Sequence, residues 1–202
     1  ALGLAVCFRS NVWNIGAEGQ FLLGVLAGGG VALWLTTHGV VLPKIVAVPL
    51  VLLGGVLGGM AWAGLTALLR DKFNASEILV SLMLVYVAQQ LVNYMVFGPW
   101  KDPGGFNFPQ TKNFDASTWL PNLLPGTRLH IGFAIALALV ALVWVFMFRM
   151  FRGYQLQVGG LAPAAARYAG FSASPSLWTA LMISGGLAGL AGGMEAIGTF
   201  KQ

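Results

Sequence analysis

Charge is what this sequence has least of. Of its 202 residues, 8% are charged and 57% hydrophobic, and mean hydropathy is +0.79. A water-soluble domain carries roughly 25% charged residues, so a soluble fold is excluded and a multispan membrane protein is indicated. A single cysteine, Cys7, excludes an internal disulfide and a cysteine-based metal cluster. His38 and His130 have no partner at metal-ligand spacing and fall where a span meets water, so both read as ordinary interfacial residues and no metal site is expected. No GxxxxGK[ST] run occurs, so no nucleotide-binding signature is present. The formal net charge is +5, yet the basic residues are scattered at the ends of apolar segments, which excludes a nucleic-acid surface. No signal peptide is visible: residues 1–8 have no basic region before them and no cleavage site after them. The start in mid-apolar sequence without Met, and the Lys201-Gln202 end, read as a fragment of a longer chain.

Long apolar runs are what is there. A membrane helix needs about 20 mainly apolar residues. Five runs approach this, at 15–36, 45–69, 78–97, 131–150 and 176–199, with 1–9 as the end of a sixth. The runs are continuous rather than alternating, so the expected fold is all-α, a polytopic transmembrane helix bundle forming one partial domain over 1–202. Arg70 and Lys72 sit between the second and third runs, and Arg149, Arg152 and Arg167 between the fourth and fifth. The positive-inside rule makes that side cytoplasmic, together with Arg9. The segment 98–130 is then an extracytoplasmic loop, with turns expected at Asp102-Pro103-Gly104 and Leu124-Pro125-Gly126 and with Lys101, Lys112 and Arg128 as weaker competing charges.

Local signals add detail. Asn74-Ala75-Ser76-Glu77 reads as a capping box, with Asn74 capping and Glu77 reaching back, or alternatively with Glu77 contacting a cytoplasmic partner. Gly54 and Gly58, Gly55 and Gly59, and Gly185, Gly189 and Gly193 recur every four residues, which lets membrane helices approach closely.

The run Asn14-Ile15-Gly16-Ala17-Glu18-Gly19-Gln20 places an acid, two amides and two glycines at the mouth of an apolar segment. Intramembrane acids face a protein interior, a partner or water rather than lipid, and broken backbone at membrane depth lines cavities. Asn14, Glu18 and Gln20 are therefore candidate path-lining groups, with Glu18 either organising a broken helix by accepting backbone N–H bonds or touching solute. In the third run Tyr86, Gln89, Gln90 and Asn93 share one helix face. They read either as interhelical hydrogen-bonding groups or as path lining, and Tyr86, Gln89 and Asn93 are taken as substrate-path candidates.

The loop 153–172 is the other distinctive segment. Within it, 163–168 is expected to form a short helix, with Pro163 in its first turn and Gly170 closing it. It caps the bundle or docks on another protein through Arg167 and Tyr168.

On these motifs the chain resembles the permease subunits of bacterial ABC importers in the branched-chain amino acid, ribose and nucleoside group, nearest the purine-nucleoside (guanosine-type) permeases. Four motifs carry the likeness: Gly3-Leu-Ala-Val-Cys-Phe-Arg9 with Asn14 to Gln20; Glu77-Ile-Leu-Val-Ser-Leu-Met-Leu-Val-Tyr86 with Gly98-Pro-Trp-Lys-Asp-Pro103; 163–170; and Ser184-Gly-Gly-Leu-Ala-Gly-Leu-Ala-Gly-Gly193. The resemblance implies a nucleoside translocation path, with a simple-sugar (ribose-type) path as the alternative. It implies a coupling role for the 153–172 loop through Gly160, Pro163, Arg167, Tyr168 and Gly170. Implied partners are a cytoplasmic ABC ATPase carrying the ATP and Mg, a second permease subunit and an extracytoplasmic substrate-binding lipoprotein. The setting is the lipid bilayer of the bacterial plasma (inner) membrane. No cofactor is expected on this chain, which is read as a transport subunit rather than an enzyme. The family loop runs close to GFELRAVGANPEAARYAGI; Gln155, Gln157, Ala162 and Ala164 here replace Glu, Arg, Asn and Glu, which implies a less charged docking face. Ser76 and Val85 stand where the family often has Asn. Outside the resemblance, an ion-coupled secondary transporter would also show broken helices and an intramembrane acid; a membrane-embedded enzyme is least favoured, since no cluster of catalytic residue types stands out.

Overall fold

The computed structural model describes residues 1–104, 110–123, 126–127 and 129–201. Apolar runs in lipid have no water to bond their backbone, so they close their own hydrogen bonds as helices. Eight α-helices follow in order among the described residues: α1 (Leu2–Arg9), α2 (Ala17–Thr37), α3 (Lys44–Phe73), α4 (Glu77–Phe97), α5 (Gly132–Arg149), α6 (Phe151–Leu161), α7 (Pro163–Tyr168) and α8 (Ala173–Glu195). A single π-helical turn (Ala196–Phe200) extends α8. The helices α2, α3, α4, α5 and α8 with its extension are long and apolar enough to cross a membrane. They match the five expected runs to within a few residues.

The centre is a three-helix pack of α2, α3 and α8, built on glycine. On α3 the two expected ridges meet different partners. Gly54 and Gly58 lie against Ala27 of α2, while Gly55 and Gly59 lie against Gly185, Gly189 and Gly193 of α8. A Cβ added at Gly55 would stand 2.7 Å from the Gly189 carbonyl oxygen. Such backbone contact supplies the van der Waals adhesion that lipid cannot oppose by a hydrophobic effect. Helix α4 leans on α2 by a narrow seam: Gly16 against Ser81 and Gly19 against Val85. Trp62 Nε1 of α3 donates to the Leu84 carbonyl at 3.2 Å. Helix α5 stands further out and folds back through α6, where Gly153 packs against Met147.

One end of the bundle gathers Arg9, Arg70 and Arg167. Gly160 of α6 rests on the backbone of Arg9 to Asn11, and the Arg9 guanidinium lies 5.5 Å from the Phe148 ring centroid. The opposite end is closed by the described part of 98–130. Phe114 N–H donates to the Lys201 carbonyl at 2.9 Å, Leu120 N–H to Ile197 at 3.2 Å and Asp115 N–H to Thr36 Oγ1 at 2.9 Å. Bonds from Ser117 hold the Asp115 carboxyl below the usual carboxylate range. His38 stacks on Trp34, and the His130 ring abuts Gly132 and Gly198. The expected turn at Asp102-Pro103-Gly104 forms, with Gly104 N–H donating to Asp102 Oδ1 at 3.1 Å. Leu124 and Pro125 of the second expected turn, and Arg128, lie outside the described residues.

Two expectations are corrected here. The capping box does not form: Asn74 sits in the left-handed region (φ 51°) and closes α3, Ser76 precedes α4, and Glu77 Oε2 pairs with Arg70 Nε at 3.2 Å. The close helix–helix turn draws the carboxylate to a guanidinium, a stronger partner than a backbone N–H. The first half of 153–172, read as loop, is helix α6. Leu156 buries against the core at this end, and that long-range contact outweighs the weak local signal of a Gly- and Gln-rich stretch.

Candidate functional site

Three polar features hold the expected path residues. The first is the break between α1 and α2. Helix α1 ends at Arg9, Asn11 takes a positive φ of 53°, and the chain climbs back as non-helical backbone to Ala17. That climb is deep. Asn14 bonds Ser184, about three turns into α8, or ~16 Å at 1.5 Å per residue. Asn14 Nδ2 donates to Gln20 Oε1 and to Ser184 Oγ, both at 2.9 Å; Gln20 Nε2 and Gly16 N–H both donate to Asn14 Oδ1 at 3.1 Å. These bonds use every donor and acceptor site of the Asn14 amide. Asn14 is 2% exposed and Gln20 1%.

This changes the reading of the heptapeptide. Asn14 and Gln20 do not line an opening; they bind the broken backbone to itself and to α8. Accepting a backbone N–H at the break, one of the two roles open to Glu18, is performed by Asn14. Ser184 is the partner that sequence reasoning missed as a site residue, because nothing in a Ser-Gly-Gly run 170 residues away signals an amide opposite it.

The second feature is where Glu18 goes. It is exposed on the first turn of α2 and lines a cleft of about 580 Å³ between α1, α2, α5 and α8. The walls are largely apolar, with Phe21, Leu137, Val140 and Leu187 among them, and Ser184 borders the same space. The third feature is the α4 stripe. Ser81, Val85 and Ala88 face the bundle; Tyr86, Gln89, Gln90 and Asn93 are exposed on the far sides of the helix, Tyr86 to 63%. The structure therefore separates the expected path residues into a buried clasp (Asn14, Gln20), a cleft group (Glu18) and an outward stripe (Tyr86, Gln89, Asn93). It does not bring them to one wall.

At the basic end, α7 stands as expected. Pro163 occupies its first position, Gly170 follows with φ 80°, and Phe171 N–H closes on the Ala166 carbonyl at 2.9 Å. Only Ala166 is buried; Arg167 is exposed and Tyr168 is 96% exposed. Behind α7 lies a second cleft of about 590 Å³, lined by Asn11, Arg70, Asp71, Glu77 and Arg167 among others. Trp178 Nε1 donates to Asp71 Oδ2 at 3.2 Å, tying α8 to α3 beneath it. Neither this bond nor the Arg70–Glu77 pair carries a sequence signal, since each joins residues on different helices. Among the described residues, no three His, Cys, Asp or Glu side chains come together as a metal-holding group.

The family described as branched-chain amino acid transport system / permease component matches residues 1–201. A glucose ABC transporter permease protein of Haloferax volcanii is 37% identical over 209 residues, covering 98% of this chain and 53% of its own length. A guanosine ABC transporter permease protein of Bacillus subtilis is 32% identical over 203 residues, covering 99% and 56%. A nucleoside ABC transporter permease protein of Lactococcus lactis is 27% identical over 209 residues, covering 100% and 56%. The chain spans about half the length of these relatives. No solved structure matches it.

Proposed function

This chain belongs to the branched-chain amino acid transport system permease family, and from that premise we propose that it forms membrane-spanning structure of an ATP-driven importer whose solute is a nucleoside. The observation that carries the transport reading is the α4 stripe. Three amides and a phenol face outward on a helix that crosses the apolar layer, where lipid offers no hydrogen bonds. Amides both donate and accept, so a second permease subunit bearing a like surface can pair with part of the stripe. The rest, with Tyr86, Gln89 and Asn93, then lines a polar route between the two. In this reading energy comes from a partner ATPase, which the likeness to ABC transporter permease proteins supports. Helix α7 is its docking knob: an exposed Arg167 and Tyr168 on a helix braced at Pro163 and Gly170. An extracytoplasmic binding protein delivers solute to the opposite end.

A simple sugar is the second reading, favoured by the likeness to the Haloferax glucose permease protein. The two readings share chemistry, since a nucleoside and a sugar both present hydroxyls on a small ring.

The test is uptake of labelled guanosine, ribose and glucose by cells carrying the full-length permease with its partner subunits, with and without vanadate and a protonophore. Vanadate-sensitive guanosine uptake is the expected result. Vanadate-sensitive sugar uptake alone keeps the machine and changes the cargo. Uptake insensitive to vanadate but abolished by the protonophore identifies an ion-coupled carrier instead. In the same cells Arg167→Glu is expected to lose ATPase co-purification while the permease remains folded.

A further inference from the structure

We propose that Gly160 is a positioning residue for transport: it seats α6 on the α1–α2 break, so that a movement of α7 reaches the backbone at Asn11 and is carried from there toward Asn14. This rests on the importer reading above and gives Gly160 a task separate from that of Arg167 and Tyr168, with which the resemblance groups it. Those two side chains are exposed on α7, whereas Gly160 lies on the side of α6 that meets the break. A Cβ added to it would stand 2.8 Å from the Ser10 carbonyl carbon and 3.0 Å from the Asn11 nitrogen. Both are backbone atoms, which no rotamer change can clear. At Gly159, one position earlier, nothing lies within 4 Å. Gly160 does not share the positive φ of Gly170, so close approach rather than backbone conformation is what requires a glycine there.

Both sides of this contact are built to move as units. Helices α6 and α7 are joined through Ala162 alone, and hydrogen bonds run across the joint. Ala162 N–H donates to the Val158 carbonyl and Ala166 N–H to the Ala162 carbonyl, each at 2.9 Å. A tilt of α7 is therefore passed to α6. On the other side, Asn11 sits in the left-handed region (φ 53°), where the chain turns from α1 toward α2. Asn is one of the few residue types that accept this conformation. Three residues later Asn14 is bonded to Gln20 and Ser184. The non-helical stretch is thus held by Gly160 near the basic end and by α8 at depth. Leu156, one turn before Gly160, and Val12, next to Asn11, belong to one buried cluster, so the contact continues into side-chain packing. Close-packed interiors transmit strain rather than absorb it. The order α7, α6, break, α8 is then a contiguous physical route of the kind that carries coupling between distant sites.

The experiment uses the full-length permease assembled with its ATPase in lipid vesicles. An environment-sensitive fluorophore is attached through Ile15→Cys, an exposed position within the break, with any other reactive cysteine replaced. Emission is read with and without ATP and vanadate in this protein and in its Gly159→Ala, Gly160→Ala and Ala162→Gly variants. Gly160→Ala lifts α6 from the break, and Ala162→Gly loosens the α6–α7 joint without adding bulk. The ATP-dependent change is expected to be the same in the parent and in Gly159→Ala. It should fall about fivefold in Gly160→Ala and about twofold in Ala162→Gly, the scale on which mutations along a coupled route act. ATPase co-purification and ATP hydrolysis should persist in all four proteins. An undiminished change in Gly160→Ala overturns the proposal, as does an equal fall in Gly159→Ala. A lowered thermal midpoint with an undiminished change in the folded fraction makes Gly160 structural only and overturns it too. If Gly160→Ala does not assemble, Ala162→Gly decides: a reduced change supports the route and a full one overturns it. A parent permease that binds no ATPase retires the importer reading. One that binds an active ATPase, yet shows no ATP-dependent change at position 15 or one indifferent to Gly160, retires this proposal alone.

Discussion

At the scale of the residue, the heptapeptide divides its labour. Asn14 and Gln20 face each other six positions apart and reach α8 through Ser184, so they are structural polar groups in a place where an unpaired polar group is costly. Replacing Asn14 with Leu leaves the Ser184 hydroxyl, the Gly16 N–H and the Gln20 amide without their partner. A loss of about 1–3 kcal/mol per buried group left unpaired is expected. It should register as a lowered unfolding midpoint in detergent, with a larger drop than for Gln89→Leu on the outward face of α4. An equal effect at both positions would contradict the division between clasp and stripe. The residue types and their place at the mouth of an apolar run were legible from the sequence. The partner was not, because a hydrogen bond between positions 14 and 184 is a property of the packed bundle.

At the scale of the element, helices α2, α3 and α8 approach through glycine surfaces, with side chains such as Val51 and Leu52 packed beside them. Gly55 and Gly159 offer a contrast within one chain. An added Cβ at Gly55 meets the Gly189 carbonyl oxygen at 2.7 Å, whereas at Gly159 nothing lies within 4 Å. Gly55→Ala is expected to force α3 from α8 and destabilise by about 1–3 kcal/mol. Gly159→Ala should be neutral or stabilising by up to about 1 kcal/mol, from helix propensity alone. Folded yield and thermal midpoint in detergent decide between these outcomes. The i, i+4 glycine spacing announced such contacts in advance and left open which ridge meets which helix. Helix α6 shows the converse. Its composition is weak as a helix signal, and it forms because Gly153 lies close against the end of α5 and Leu156 reaches the core.

At the scale of the whole molecule, the two ends differ in kind. One gathers Arg9, Arg70 and Arg167 around α7 and its cleft; the other is sealed by residues 110–123 against the π turn and the end of α2. By the positive-inside rule the first end is expected to face the cytoplasm. With native Cys7 buried, Tyr168→Cys is expected to react with a membrane-impermeant maleimide only in inverted vesicles, and Ala116→Cys only in intact spheroplasts. The reverse pattern would invert the topology and remove α7 from the ATPase side.

The sequence by itself determined the class of this protein, its five long spans and the end at which its charge collects. Hydropathy and covalent order are enough for that, since each apolar run satisfies its own backbone as a helix and each basic loop selects a side locally. Tertiary structure alone decided which polar groups became structure and which stayed available. Asn14 and Gln20 were closed off by Ser184, Glu77 was drawn from its expected cap to Arg70, Glu18 was left exposed at the edge of a cleft, and the α4 stripe was left facing outward. Those outcomes depend on which helix faces meet. That in turn is set by the joint close packing of several glycine surfaces distant in sequence, which no single segment encodes.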